Sequence, residues 1–484
     1  MKILGEPKEK IAEAVKSGKI TIAVYGLGKV GLPLALAYAS SGLRVIGVDI
    51  NPKIVEMVNN SVNFLPHEPL VGELLKKHIK EGNLRATTDT VKAAENADVV
   101  SIIVPTLADE NGIPLLKPLF SACKSVGKGL KKRTLVIIES TVPPGTTEGP
   151  VREILESESG LKAGEDFGLV FSPERVKSGT VIADFLENYP KIVGGINRVS
   201  TETAAYFYEA IVKRGVVKVR NARTAEAVKV YKGIYRYVNI ALANELAKIS
   251  EKIGVDILEA INAANTEPYS HIHKPGPGVG GHCIPIYPYF LTYIARKIGF
   301  DLSLVRNARI IDNSMPYHTV QLVIEGLNEA EKPVKNSKIT VFGLTFRGDV
   351  KATVLTPALP IIKRLKEMKA QIKAHDPYLS KEEIANEFGV EKVDSIKEGF
   401  KDADAVVFVA DHKVYKDLEL DEMVKLMKKP PVIIDSRNIF DLNKIREFSN
   451  LIYRGIGRGS HVLDAKIPDY ISIIKRDLLA ENMD

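Results

Sequence analysis

Residues 19–31 read Lys-Ile-Thr-Ile-Ala-Val-Tyr-Gly-Leu-Gly-Lys-Val-Gly, and they decide the fold. A β-branched run ends at Tyr25, the glycine motif follows, and an apolar segment then extends from Leu32 to Ser41. This order predicts a strand, a glycine-rich turn and a helix. A second apolar strand, Arg44–Val48, ends at Asp49, close to the roughly 20-residue spacing of a dinucleotide-binding βαβ unit.

The three glycines of this motif have different predicted roles. Gly26 allows the tight turn, Gly28 lets the backbone approach a pyrophosphate, and Gly31 permits close packing of the helix. The carboxylate of Asp49 is suited to bind ribose hydroxyls and repels a 2′-phosphate. The sequence therefore predicts NAD rather than NADP. For the glycine motif alone, the competing interpretation is an ordinary tight turn.

More strands and one long helix follow in the next part of the chain. The apolar runs at 97–104, 134–139 and 168–171 predict buried strands, and their alternation with helical patterns implies a parallel sheet. From Thr224 to Ile253 the apolar residues are spaced by threes and fours, which predicts one long amphipathic helix. A helix of this length needs packing along its whole length, so we expect it to form a dimer interface.

A second α/β pattern begins after residue 337. Its predicted elements are Lys338–Gly343, Ala358–Met368, Ala370–His375, Ala403–Val409 and Pro431–Asp435. Its glycine turn lacks the G-x-G-x-x-G spacing, so we expect no second dinucleotide. The predicted fold is α/β, with two doubly wound Rossmann-like domains joined by a helical central domain with one long helix. The predicted boundaries are 1–220, 221–335 and 336–484.

The bulk composition excludes several classes of protein. A net charge of +7 over 484 residues, with isolated basic clusters, favours solvated loops over a nucleic-acid groove. The two cysteines, Cys123 and Cys283, do not form a disulfide framework or a metal site, which favours a reducing compartment. No signal-peptide pattern and no run of ~18 apolar residues is present. We therefore expect a cytoplasmic protein with no membrane or nucleic-acid partner and no metal.

The glycine- and proline-rich segment Lys274-Pro-Gly-Pro-Gly-Val-Gly-Gly-His-Cys283 carries the candidate nucleophile. The glycines remove side chains from the loop, so backbone amides can approach a ligand beside one thiol. The competing interpretation is a small buried cysteine beside a turn. That interpretation is preferred for Cys123, which lies on an apolar helical face.

Other candidate residues lie on the long helix and on two loops that follow strands. Lys229, Gly233 and Arg236 share one helical face, and a glycine inside a helix suggests close approach of another group. The loops at 139–147 and 172–176 follow predicted strands, where ligands of open α/β sheets bind. Solvated side chains and strand-end capping are the competing interpretations.

Together these motifs resemble the UDP-glucose/GDP-mannose dehydrogenase family over nearly the whole chain. The motifs are the glycine loop, Val104-Pro-Thr106, Ser-Thr-Val-Pro-Pro-Gly-Thr-Thr, Ser-Pro-Glu-Arg, Asn244-Glu-Leu246 and Gly-Gly-His-Cys. Within the family, Ser-Pro-Glu-Arg-Val and the segment before Cys283 resemble the branch that acts on UDP-N-acetylmannosamine. The resemblance implies a four-electron oxidation at C6 with two NAD, through a thioester on Cys283.

The resemblance also implies roles for individual residues. Lys229 exchanges protons with, or stabilises, the oxyanion, while Glu174 and Thr141 position water. The implied NAD site consists of Gly26, Gly28, Lys29, Val30, Gly31, Asp49, Lys53, Thr106 and Thr141. The implied nucleotide-sugar site, in the central and C-terminal domains and the Ser-Pro-Glu-Arg loop, consists of Arg175, Val176, Lys229, Arg236, Gly280, Phe346, Arg347 and Arg437.

The chain departs from the family pattern beside these residues. Gly233 stands where an asparagine is usual, and Tyr287 replaces an aspartate four residues after the cysteine. Glu267 and Tyr269 occupy the place of a His-Pro-Arg segment, and Lys351, Ala352 and Val354 replace Asp-Asp-x-Arg. Three alternatives stay open: another nucleotide sugar (UDP-GlcNAc, UDP-glucose or GDP-mannose), a single-step β-hydroxyacid dehydrogenase, and a catalytically impaired NAD- and nucleotide-binding protein. We expect a homodimer or a higher homo-oligomer.

Overall fold

The computed structural model describes residues 1–177, 179–458, 470, 471 and 474. The chain forms two compact units. The first unit contains residues 1–233 and 286–301, and the second contains 234–285 and the described part of 302–484.

The strands of the chain are short and mostly buried. They are β1 (Thr21–Tyr25), β2 (Arg44–Val48), β3 (Leu84–Thr87), β4 (Val99–Ile102), β5 (Leu107–Ala108), β6 (Pro114–Leu115), β7 (Leu135–Ile138), β8 (Gly168–Phe171), β9 (Lys191–Gly195), β10 (Val216–Lys218), β11 (Lys338–Phe342), β12 (Gln371–His375), β13 (Glu391–Lys392), β14 (Ala405–Phe408), β15 (Val432–Asp435) and β16 (Ile452–Gly455).

The helices vary more in length. They are α1 (Lys8–Lys16), α2 (Gly31–Ser40), α3 (Pro52–Asn59), α4 (Val71–Lys80), α5 (Thr90–Glu95), α6 (Lys117–Gly129), α7 (Arg152–Ser159), α8 (Val181–Ala183), α9 (Arg198–Glu209), α10 (Ala222–Ile253), α11 (Ile257–Ala264), α12 (Pro288–Lys297), α13 (Ser303–Glu329), α14 (Ala358–Glu367), α15 (Lys381–Phe388), α16 (Ile396–Phe400), α17 (Lys413–Lys416), α18 (Leu420–Val424) and α19 (Leu442–Arg446). Two π-helical turns occur at Thr147–Val151 and Asp184–Asn188.

The first unit is built on an eight-stranded sheet with the order β10-β9-β8-β7-β4-β1-β2-β3. The strands of this sheet that the sequence predicts are all parallel to one another. β9, which the sequence did not predict, is antiparallel to β8. Among the described residues of the connection between them, the helical elements are α8 and a π-helical turn, and none is the long crossover helix that usually links parallel neighbours.

The second unit contains a six-stranded, fully parallel sheet with the order β13-β12-β11-β14-β15-β16. Its central strands β11, β14 and β15 are almost completely buried, as expected for a parallel sheet with both faces covered. The prediction of two doubly wound Rossmann-like sheets and a long helix is therefore confirmed.

The long helix α10 leaves part of its apolar stripe exposed. Tyr231, Tyr235, Leu242 and Ile249 are each close to half exposed, although they are the residues whose spacing predicts the helix. The buried side of α10 includes Val230 and Tyr237 together with smaller or polar residues such as Ala243, Asn244 and Ala247. Among the described residues, no helix combines the length and apolar character needed to cross a bilayer.

Candidate active site

The glycine turn after β1 has the geometry that the sequence predicts for dinucleotide binding. Gly26 has a φ of +98°, and a Cβ there would lie 2.7 Å from the Ile103 carbonyl oxygen. A Cβ on Gly31 would lie 1.8 Å from the carbonyl oxygen of Gly26, so the helix packs directly on the turn. At Gly28 a Cβ would have no neighbour within 4 Å. Room for a pyrophosphate therefore lies beside the N-terminus of α2, which favours negative charge.

Asp49 braces this turn from the end of β2. One carboxylate oxygen accepts a hydrogen bond from the Leu27 amide at 2.9 Å, and the other accepts from the Asn51 amide at 2.9 Å. Lys29 and Lys53 are exposed nearby in sequence, and Val30 precedes the first residue of α2. The turn and its carboxylate are thus preorganised before any ligand binds.

The loop that carries Thr141 is held at both ends. The Thr106 hydroxyl donates to the Thr141 carbonyl at 2.6 Å, which joins two of the residues predicted at the NAD site. On α10, the Glu226 carboxylate accepts from the amides of Gly145 at 2.5 Å and Thr147 at 2.7 Å. Burial raises the pKa of Glu226 to about 7, although the two amides act in the opposite direction.

Lys229 lies on α10, three residues after Glu226. Its ammonium group donates a hydrogen bond to the backbone carbonyl of Glu174, in the loop after β8. The same nitrogen lies 5.9 Å from the centroid of the Tyr287 ring. The first unit therefore brings Lys229, Glu174 and Tyr287 together, two of which the sequence predicts as functional.

The side chain of Glu174 belongs to a buried charge cluster. One of its carboxylate oxygens accepts from Lys191 Nζ at 2.8 Å, and the other accepts from the amides of Arg175 at 2.7 Å and Val176 at 3.1 Å. Lys191 Nζ also donates to Glu139 at 2.8 Å. Burial lowers the pKa of Lys191, but the two carboxylates outweigh burial, so this pKa is raised.

The glycine loop before Cys283 lies in the second unit, where the Asn244 side chain anchors it. Asn244 Oδ1 accepts from the Gly276 amide at 2.9 Å, while its amide group donates to Asp312 on α13 at 2.7 Å. Gly281 donates its amide to the Val354 carbonyl at 2.7 Å. This gives the Asn-Glu-Leu motif of α10 a physical role, because it fixes the first part of the loop.

Several residues predicted to bind the nucleotide sugar cluster around this loop. A Cβ on Gly280 would lie 2.5 Å from the Phe346 side chain. Arg437 donates to the carbonyls of Phe346 at 3.0 Å and Val409 at 2.9 Å. A Cβ on Gly276 would lie 2.9 Å from an Arg437 nitrogen. The second unit therefore brings Gly280, Phe346 and Arg437 together.

Two more residues predicted to bind the nucleotide sugar, Arg347 and Arg236, belong to the same unit. Arg347 is partly buried and follows Phe346, and its carbonyl accepts from the Thr345 hydroxyl at 2.9 Å. Arg236 is exposed on α10. Burial lowers the pKa of His273, and the positive charge of Arg236 lowers it further.

The two thiols have opposite environments. Cys283 is exposed, so its sulfur is accessible to a substrate. Cys123 is fully buried in α6, and burial raises the pKa of its thiol to about 12. Because the thiolate is the nucleophile, Cys123 is inert at neutral pH.

Sequence reasoning assigned no individual role to three residues that hold the loops of the site in place. Lys191 and Glu139 lie under the Glu174 loop, and Glu226 holds the Thr141 loop. A signal was present for Lys191, since a charged residue opens the apolar run Lys191-Ile-Val-Gly-Gly. No pattern indicated that Glu139 would face it, because that contact depends on strand order.

Comparison with known proteins identifies the same family over most of the chain. Sequence models of the UDP-glucose/GDP-mannose dehydrogenase family match residues 20–212 as the NAD binding domain, 223–314 as the central domain and 340–442 as the UDP binding domain. A curated relative, the UDP-N-acetyl-D-mannosamine dehydrogenase of Pyrococcus horikoshii, is 37% identical over 90% of this chain and 99% of its own length.

Solved structures give the same result. The chain resembles the UDP-D-ManNAc dehydrogenase structure from Pyrococcus horikoshii with a TM-score of 0.82 and 36% identity, over 91% of this chain and 100% of that one. It also resembles the NDP-N-acetyl-D-galactosaminuronic acid dehydrogenase of Methanosarcina mazei with a TM-score of 0.79 and 32% identity, over 94% of this chain and 98% of that one.

Proposed function

The chain belongs to the UDP-glucose/GDP-mannose dehydrogenase family, and we propose that it oxidises UDP-N-acetyl-D-mannosamine to UDP-N-acetyl-D-mannosaminuronate. It is an NAD-dependent dehydrogenase of nucleotide sugars. The observation that carries the choice of sugar is the 37% identity, over 90% of the chain, to a UDP-N-acetyl-D-mannosamine dehydrogenase.

The glycine turn and its neighbours are suited to hold NAD. A Cβ would clash at Gly26 and Gly31 but not at Gly28, which leaves a cradle for the pyrophosphate. We assign Asp49 to the ribose hydroxyls, and Lys29, Val30, Lys53, Thr106 and Thr141 to the rest of the dinucleotide. When bound, NAD accepts a hydride in each of the two oxidations.

We assign the covalent step to Cys283. Its thiolate adds to the C6 aldehyde carbonyl, forming a C–S bond and an oxyanion that takes up a proton. Oxidation of this thiohemiacetal gives a thioester, which water cleaves to the carboxylate while the thiol is released. Exposure of Cys283 supports this role. A thiol that must stay reduced fits a cytoplasmic enzyme.

Lys229 is assigned to the oxygen at C6. Its ammonium group can stabilise the oxyanion of the thiohemiacetal and exchange a proton with the primary alcohol. Contact with the Glu174 carbonyl and proximity to the Tyr287 ring support a cationic lysine, because a carbonyl and an aromatic face both attract positive charge. Glu174 and Thr141 are assigned to the water that cleaves the thioester.

The nucleotide sugar is assigned to arginines and to the glycine loop. Arg175, Arg236, Arg347 and Arg437 provide planar donors that match the paired oxygens of a diphosphate. The absence of a side chain at Gly280 lets the loop approach Phe346. Val176 is assigned to the same ligand. Arg437 is held by two backbone carbonyls, so little side-chain entropy is lost when a phosphate binds.

The test is an assay with four nucleotide sugars and a count of the NADH formed. We expect turnover of UDP-N-acetyl-D-mannosamine above UDP-GlcNAc, UDP-glucose and GDP-mannose, with two NADH for each uronate. No activity on UDP-N-acetyl-D-mannosamine would reject this substrate. One NADH per product would identify a single-step dehydrogenase, and tight binding without turnover of any sugar would identify an impaired enzyme.

We also propose that the enzyme is a homodimer that uses α10. The exposed stripe of this helix contains Tyr235, Leu242 and Ile249, whose spacing of seven puts them on one face. A helical face of this kind packs well against an identical copy, since apolar residues with a seven-residue repeat form a continuous seam.

A further inference from the structure

The cluster around Lys191 is buried and charged, and two of its three members, Lys191 and Glu139, have no part in the proposed chemistry. The side chains of Lys191, Glu139 and Glu174 are exposed by 6%, 0% and 9% respectively. Charged residues are almost never buried this completely unless they are paired. Both ion pairs of Lys191 are 2.8 Å long, so this lysine bridges two carboxylates.

The cluster joins three neighbouring strands of the first sheet. Glu139 follows β7, Glu174 lies in the loop after β8, and Lys191 is the first residue of β9. Glu139 is fixed in turn by the Tyr208 hydroxyl at 2.9 Å and the Ser101 hydroxyl at 2.5 Å. These hydrogen bonds fix Glu139, and Glu139 in turn fixes the position of Lys191 beside the Glu174 loop.

Glu174 connects Lys191 to Lys229, the proposed catalytic lysine, because its carboxylate contacts Lys191 and its backbone carbonyl contacts Lys229. Its carboxylate accepts from its own neighbours, the Arg175 and Val176 amides, which fixes the local turn of the loop. The backbone carbonyl of the same residue then accepts from Lys229 Nζ. The direction of that carbonyl, and with it the position of Lys229 Nζ, depends on where the carboxylate is held.

We propose that Lys191 is a positioning residue, which holds the Glu174 carboxylate so that the Glu174 carbonyl places Lys229 for its step. The inference rests on the proposed function, because it needs the proposed role of Lys229. Lys191 is not among the residues assigned to NAD or to the nucleotide sugar, so we expect its removal to lower turnover with little effect on ligand affinity.

A simpler role for Lys191 is to neutralise Glu139. Removing Lys191 alone would leave two buried carboxylates without a positive charge beside them and could prevent folding. The Lys191→Met/Glu139→Gln variant avoids this problem, because it removes one positive and one negative charge together. Comparison with Glu139→Gln alone isolates the contact of Lys191 with Glu174.

The experiment measures kcat, both KM values and the thermal midpoint of unfolding with NAD and UDP-N-acetyl-D-mannosamine. Relative to Glu139→Gln, we expect the double variant to lose at least tenfold in kcat with both KM values within twofold. Lys213→Met, which removes an exposed ion pair with Glu187 in the same unit, is the matched control and should retain full kcat.

Each contrary result has a separate meaning. A double variant with kcat within twofold of Glu139→Gln, or one that raises KM as much as it lowers kcat, would reject the positioning role. A double variant that no longer folds would assign Lys191 to stability and would also reject it. Absence of turnover by the unmodified enzyme would instead reject the proposed function.

Discussion

At the scale of single residues, the two thiols differ in what their surroundings allow. Cys283 is exposed, whereas burial raises the pKa of Cys123 to about 12. We expect Cys283→Ser to abolish uronate formation, because the serine hydroxyl stays protonated at neutral pH and is a far poorer nucleophile than a thiolate, and because an alkoxide is the poorer leaving group. The measurement is chromatographic detection of the nucleotide-sugar acid.

The matched control for this change is Cys123→Ala, which removes the other thiol. Since Cys123 packs in the apolar core of the first unit, we expect a loss of about 1 kcal/mol in stability and undiminished uronate formation. Wild-type rates of acid formation by Cys283→Ser would contradict the thioester mechanism.

Tyr287 contributes through its ring. The Lys229 nitrogen lies 5.9 Å from the ring centroid, a geometry worth about 0.5–1 kcal/mol at a partly exposed site. We expect Tyr287→Leu to lower kcat by roughly 2- to 5-fold, the rate equivalent of that energy. Tyr287→Phe keeps the ring and should retain most of the activity. Equal losses in the two variants would show that the phenolic hydroxyl matters instead.

At the scale of elements, two helix glycines have opposite surroundings. A Cβ on Gly233 in α10 would have no neighbour within 4 Å, whereas one on Gly326 in α13 would lie 2.7 Å from the Val432 side chain. We expect Gly233→Ala to stabilise the protein by about 1 kcal/mol, because alanine is the better helix former. We also expect a lower kcat/KM, since the open face lies one turn from Lys229.

The control for this prediction is Gly326→Ala. Overpacking against a buried strand should destabilise the protein by about 1–3 kcal/mol. Thermal unfolding and steady-state kinetics measure both effects. If Gly233→Ala has unchanged kcat/KM, the open face of α10 does not receive substrate.

Helices α10 and α13 are also joined by a hydrogen bond between Asn244 and Asp312, and the pKa of Asp312 is shifted. Burial raises the pKa of Asp312 to about 7, although the Asn244 hydrogen bond acts in the opposite direction. The folded protein therefore keeps a proton that the unfolded chain has lost, so stability falls as pH rises from about 4 to about 7. Above that window this contribution is absent.

The Asp312→Asn variant tests this contribution. Between pH 5 and pH 8 we expect the wild type to lose on the order of 2 kcal/mol more unfolding free energy than the variant. Urea denaturation at the two pH values measures the difference. Asp421→Asn, at an exposed position of the same unit, is the control and should follow the wild type. A variant with the full wild-type pH dependence would contradict the prediction.

The elements that the sequence predicts are those whose cause is local. The strand Arg44–Val48 was predicted with its observed bounds, because an apolar run between polar residues is enough to define it. The contact between Lys191 and Glu139 was not predictable in this way. It requires β8 to lie between β7 and β9, and β9 to run antiparallel, which no short pattern encodes.

At the scale of the whole molecule, both sheets contain the same type of hydrogen bond from a leucine amide to an aspartate, but the second aspartate is buried. In the first, the Leu27 amide donates to Asp49 at 2.9 Å; in the second, the Leu344 amide donates to Asp376 at 2.8 Å. The second carboxylate is fully buried and also lies 3.1 Å from His412 Nε2. Because Asp376 is committed to the interior, it is not available to a ribose, which agrees with a single NAD site.

The residues of the candidate site also fall into two groups: those predicted from local sequence and those whose contacts depend on the folded structure. The predicted roles of Gly26, Gly28 and Gly31 follow from one motif; the structure shows that a side chain would clash at Gly26 and Gly31 and that the space beside Gly28 is open. The hydrogen bond from Lys229 to the Glu174 carbonyl was not predictable, because a sequence motif identifies side chains and not the direction of a backbone carbonyl. Long-range contacts of this kind can be identified only in the folded structure.

The exposed face of α10 is the surface that we propose for the dimer interface. Tyr235, Leu242 and Ile249 are 51%, 45% and 50% exposed and repeat every seven residues, so a second copy can cover them with a continuous apolar seam. We expect light scattering after gel filtration to give twice the chain mass. Leu242→Glu/Ile249→Glu should shift the protein toward monomer, since buried charges without partners are costly. The control Val62→Glu changes an equally exposed apolar residue elsewhere and should stay dimeric. A monomer mass for the unmodified chain at micromolar concentration would contradict the dimer.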